Sequence, residues 1–143
     1  DRLPIYDQTL LTKEDHEHLE SMKKCFAEIS ACFQVWSTRR AMIAVFDFAR
    51  LCNKYFNDKA PWSTRKTNIE LTKVTLALSL QSIYFLGTVL RPFFPQKCKS
   101  ILQIFAVSDD ISWQDALKFP DGGTPLHKME ILFKKIEAES EAP

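Results

Sequence analysis

Seventeen consecutive residues without a charge, Val74 to Leu90 (VTLALSLQSIYFLGTVL), constrain this chain more than any other stretch. A run of that kind has to leave water, either in a bilayer or in a protein core. A membrane span takes roughly 20 apolar residues. This run falls short of that, and Thr75, Ser79, Gln81, Ser82 and Thr88 interrupt it. The segments around it are amphipathic. The reading that follows is the central helix of a bundle, running from Asn68 to Arg91, buried on most sides and outside any membrane. The 143 residues and 45% hydrophobic content supply enough material for one full core, hence a single domain over residues 1–143.

The partners of that helix are legible from periodicity. After an extended lead-in (DRLPIYDQTLL), Thr12 and Asp15 predict an N-cap. Leu19, Met22, Phe26, Ile29, Phe33 and Trp36 then recur at three- and four-residue steps, the seam of a first helix. A second helix is predicted from Thr38 to Asn57, with Met42, Val45, Ala49, Cys52 and Phe56 inward and Phe46 and Phe48 widening the seam. The short link makes these two an antiparallel hairpin. Thr67 and Glu70 form a capping box for the central helix. Pro92 and Pro95 break the chain before a fourth helix bearing Cys98, Ile101, Leu102 and Phe105. SWQDAL is a short element in the next connection, and Asp121-Gly122-Gly123 a turn. Thr124 and Pro125 suit the start of a last helix with Met129, Leu132, Phe133 and Ile136 inward, before an acidic, frayed tail. The expectation is an all-α bundle of about five helices.

Catalytic chemistry finds no footing in these residues. There is no Gly-rich phosphate loop, no G-x-S-x-G elbow and no pair of His ligands at helical spacing. His16 and His18 are two apart and His127 is remote, so zinc has no converging ligands. Cys25, Cys32, Cys52 and Cys98 lack C-x-x-C spacing and lie in apolar stripes, as reduced thiols of a cytoplasmic protein do. The net charge of +1 makes no global case for a nucleic-acid partner, so such a site has to come from local clustering. The chain opens at Asp1 without initiator Met, signal peptide or targeting segment, and reads as a piece of something longer.

The most specific local feature is NKYFNDKAPW, residues 53 to 62. A helix ends there on Tyr55 and Phe56, passes Asn57, Asp58 and Lys59, and is stopped by Pro61. Trp62 follows, with Lys59, Arg65 and Lys66 close in sequence. A rigid aromatic among cations on such a corner can stack on an RNA base; the residues alone favour the alternative, a Trp that plugs the gap between two helices. Asn53, beside the seam, reads as partly buried, bonding backbone near the helix end or holding the Trp62 loop.

Several landmarks, in order, resemble the anticodon-binding helical domain of the methionyl-tRNA synthetases, class I aminoacyl-tRNA synthetases. They are the DRLP lead-in, Arg40-Ala41-Met42 through Asn53-x-Tyr55-Phe56, Ala60-Pro61-Trp62, Leu90-Arg91-Pro92-Phe93-Phe94-Pro95, Trp113, and the closing Leu132-Phe133-Lys134-Lys135-Ile136-Glu137. The last favours methionine over the related isoleucine, valine, leucine and cysteine enzymes. The resemblance implies that Trp62 contacts the anticodon of tRNA(Met), chiefly the cytosine of CAU, and that Asn57 lies where discrimination is tuned. Lys59, Arg65 and Lys66 would be phosphate contacts by proximity. Ser63 stands where the family often has Lys, and Lys135 where Arg is usual. The resemblance further implies that a first base-reading helix and the catalytic domain, with its HIGH and KMSKS motifs, precede Asp1 in the same polypeptide. ATP, and zinc if used, would belong to that catalytic domain, leaving this segment without cofactor or catalytic centre. The alternatives are a free-standing helical protein-interaction scaffold, or the anticodon-binding domain of another class I synthetase.

Overall fold

In the computed structural model, residues 1–107, 111–128 and 131–132 are described. They form an all-α bundle of four helices of nine residues or more and one single-turn helix: α1 (Lys13–Gln34), α2 (Thr38–Lys59), α3 (Pro61–Thr64), α4 (Ile69–Val89) and α5 (Pro95–Gln103). Short 3-10 turns lie at Gln8–Leu10 and Trp113–Asp115.

Helix α1 starts where the sequence puts it. The Asp15 N–H donates to Thr12 Oγ1 and the Thr12 N–H donates to Asp15 Oδ2 at 2.8 Å, a reciprocal capping box. The helix closes on Trp36 at φ 56°, with Ser37 N–H donating to the Cys32 carbonyl and Trp36 N–H to that of Phe33. That closure is a Schellman motif, built on a Trp where Gly is usual. It lifts Trp36 out of the expected seam and leaves it 88% exposed. The inward face of α1 is instead Asp15, His18, Met22, Cys25, Ile29 and Cys32. On α2 the inward face is Ala41, Ala44, Val45, Phe48 and Tyr55. Phe46, expected to widen the seam, is 49% exposed, because it lies two positions from Phe48 on a helix and so points elsewhere.

Helix α4 is the central element. By length and composition it could cross a membrane, yet between Leu71 and Leu90 only Leu76 and Ile83 are exposed. Its Thr72, Thr75, Ser79, Ser82 and Thr88 hydroxyls each donate to the carbonyl four residues back, at 2.8 to 3.1 Å. That local bonding lets polar side chains sit in a core without unmet donors. The cap is Asn68, whose side chain accepts from Leu71 N–H, one residue later than the expected Thr67. Phe85 lies at the centre, edge-on to both Phe26 and Phe48. Trp113 stacks on Phe26 and donates Nε1–H to Ser30 Oγ at 2.9 Å, which ties the later connection to α1.

The expected last helix is corrected at its start. Residues 124–128 and 131–132 are not helical. The lead-in takes their backbone groups first: Leu3 N–H donates to Thr124 O, Leu126 N–H to Asp1 O, and Arg2 bridges Pro125. An extended segment paired in this way cannot also cap a helix. Met129, Phe133 and Ile136, and the acidic tail, lie outside the described residues, as do Lys135 and the closing motif apart from Leu132.

Candidate nucleic-acid interface

The junction of α2 and α3 carries the candidate site. Helix α2 ends at Lys59, and Ala60 takes φ 42°, ψ 61° as its C-cap. Its N–H donates to the carbonyls of Phe56 and Asn57 at 3.1 and 3.2 Å. A left-handed conformation costs a residue with a Cβ roughly 1–2 kcal/mol, so neighbours must hold it in place. Pro61 then opens α3 from a buried position, its missing N–H falling where a helix has none to satisfy. Thr64 at the end of α3 meets Thr72 of α4, hydroxyl to hydroxyl at 2.8 Å.

This corner turns Trp62 outward. The indole is 54% exposed, with one side braced by the Phe56 ring at a centroid distance of 5.9 Å and an interplanar angle of 60°. It does not plug an interhelical gap. Arg65 and Lys66 follow, exposed, in the turns between α3 and α4. Asn57 is exposed on the last turn of α2. Asn53 is exposed as well, so the partly buried position expected of it is corrected. The single residue step from Cys52, about 100° of helix rotation, carries it past the seam, to the rim of an apolar cleft of about 320 Å³ lined also by Phe56, Ser79, Ile83 and Leu86. The corner thus offers an exposed aromatic surface, preceded in the chain by two exposed amides and followed by two exposed cations.

Lys59 is the exception among the expected contacts. Its Nζ lies 2.7 Å from Asp15 Oδ1 and donates to Thr12 Oγ1 at 2.8 Å, above the Tyr55 ring. Its side chain is 20% exposed and that of Asp15 1%. Tyr55 OH donates to the same Asp15 oxygen at 2.8 Å. Burial opposes ionisation of Asp15, but Lys59, Thr12 and Tyr55 outweigh it and hold the carboxyl below its usual range. Burial, reinforced by Asp15, raises the Tyr55 phenol. Next to them His18 stacks on Tyr55 at 4.1 Å, and burial pushes it down to about 4 against the pull of Asp15. The Lys59 charge is therefore spent inside the protein. Sequence reading missed Asp15 and Tyr55 as members of this region, because it used Asp15 only as a cap. The one available signal was that a buried cap carboxylate needs a cation, and the neighbour in space is 44 residues away in sequence.

Among the described residues no three His, Cys, Asp or Glu side chains converge as metal ligands. Burial raises the Cys25 thiol to about 12 and those of Cys52 and Cys98 to about 11, which leaves them poor nucleophiles near neutral pH.

Comparison with known proteins decides the family. Residues 6–143 match the model of the anticodon binding domain of methionyl tRNA ligase. The chain belongs to this family. As an anticodon-binding domain of a methionyl-tRNA ligase it is 33% identical over 129 residues to the methionine–tRNA ligase of Pyrococcus horikoshii, and 27% identical over 128 residues to that of Pyrobaculum aerophilum. Each alignment takes in 90% of this chain, which spans 18% and 22% of the two relatives. Its fold superimposes on apo methionyl-tRNA synthetase of Mycobacterium tuberculosis with a TM-score of 0.87 at 18% identity, over 96% of this chain and 28% of the other.

Proposed function

We propose that this domain reads the CAU anticodon loop of tRNA(Met) by stacking its first base on Trp62. The supporting observation is the half-exposed Trp62, its ring against Phe56 at the corner between α2 and α3. An unstacked loop base supplies the π-face that such a surface takes. In this reading the exposed Asn57 and Asn53 hydrogen-bond base edges, and the exposed Arg65 and Lys66 meet phosphates. Because the domain spans about a fifth of the ligases it matches, the attachment of methionine, with its ATP and any zinc, is assigned to a catalytic domain in the rest of the polypeptide. Four free cysteines fit a cytoplasmic setting.

Replacing Trp62 by Ala in the full-length ligase tests this. Affinity for a CAU anticodon stem-loop falls about 5- to 150-fold, the equivalent of roughly 1–3 kcal/mol for one stacked base. ATP-dependent activation of methionine stays at its original rate. Equal loss of both activities, or equal affinity for CAU and scrambled loops, refutes the reading. The second outcome favours a protein-interaction scaffold.

A further inference from the structure

We propose that Lys59 and Asp15 are positioning residues for Trp62, and that Lys59 makes no phosphate contact of its own. This rests on the anticodon reading above. The strained link in the corner is Ala60, and it is held at both ends. On one side Pro61 is buried as the first residue of α3. On the other, Lys59 reaches from the last turn of α2 to the first turn of α1, where Asp15 and Thr12 receive its ammonium at 2.7 and 2.8 Å. Tyr55, one turn earlier on α2, bonds the same carboxylate. Two residues of the α2 terminus thus converge on one buried acid, which fixes both the height and the rotation of that turn. Trp62 stands three residues after Lys59, so the direction in which α2 ends sets the direction in which the indole faces.

Geometry separates this role from a direct one. Lys59 cannot leave Asp15 for a phosphate without depriving a carboxylate that is 1% exposed of its cation and leaving it only the neutral donors of Thr12 and Tyr55. Arg65 and Lys66 have no such obligation to a buried group, and they remain as the corner's outward charges.

A double-mutant cycle in the full-length ligase tests the proposal, with a synthetic CAU anticodon stem-loop as the probe. Lys59→Met weakens binding at least about threefold, and by no more than Trp62→Ala does. In the Trp62→Ala background the same substitution changes affinity by less than about twofold, since there is no indole left to position. Lys59→Arg, which keeps the ion pair, retains affinity. Where Lys59→Met fails to fold, Asp15→Asn, which keeps the Tyr55 bond, takes its place in the cycle. The slope of log affinity against log salt is unchanged in either variant. Losses that add across the cycle, or a slope reduced by about 0.7 as for one lost single-strand phosphate contact, overturn the positioning role and leave the anticodon reading intact. No loss from Lys59→Met also overturns it. No loss from Trp62→Ala overturns the anticodon reading and this inference with it.

Discussion

Acidifying from pH 7 to pH 5 is expected to destabilise the fold through His18. The ring is buried in α1, stacked between Tyr55 and Phe48, with Nε2 2.8 Å from Ser82 Oγ. The Ser82 hydroxyl gives its one proton to the Leu78 carbonyl, so Nε2 carries a hydrogen and donates to Ser82 Oγ, a bond that either charge state of the ring can make. Burial lowers its pKa from 6.5 to about 4, against the opposing charge of Asp15. Between those values the unfolded chain binds more protons than the fold, so stability is complete above 6.5 and declines as pH falls toward 4. The loss amounts to roughly 2 kcal/mol at pH 5, rising to about 3 kcal/mol at pH 4. Asp15 acts in a different window: its lowered pKa contributes stability above the ordinary 3.8, lost only below it. Urea denaturation followed by circular dichroism at pH 7, 6 and 5 measures the slope. His18→Phe keeps the stack and cannot be protonated, so its profile is flatter by about 2 kcal/mol over that range. Parallel profiles for the two proteins refute the assignment of the acid sensitivity to this ring.

Two further expectations concern the central helix. Phe85→Ala, at a fully buried position touching both Phe26 and Phe48, costs roughly 3–5 kcal/mol in urea denaturation. Gly87→Ala places a methyl 2.7 Å from Ile101 Cγ2 and 3.4 Å from Leu102 Cδ2, at the contact of α4 with α5. Overpacking there costs roughly 1–3 kcal/mol, and the gain of about 1 kcal/mol in helix propensity offsets part of it. A net loss near 1 kcal/mol is expected by the same assay, and a net gain means that Ile101 turns aside without strain.

The helices and their order were readable because each rests on a local signal. Thr12 and Asp15 cap α1 from three residues apart, Pro95 starts α5, and Val74–Leu90 has nowhere to go but the core. Where a second partner competes for the same backbone, the local signal fails. Thr124 and Pro125 have the chemistry of a helix start, and they lose it to pairing with the lead-in some 120 residues earlier. Trp36 has the spacing of a seam residue, and the turn that closes α1 takes it out.

The candidate site divides the same way. By itself the sequence determined that a helix ends before Pro61, that Trp62 follows the break, and that cations surround it, since all of these depend on residues within a few positions of one another. Only the tertiary structure decided which way Trp62 faces and which cations are available to a ligand. That choice turns on Asp15, a carboxylate brought from α1 into a place with almost no water, where it must hold a cation. Nothing near Lys59 in the chain announces that demand. Desolvation is a property of the packed bundle, and it converts an expected surface charge into an internal strut.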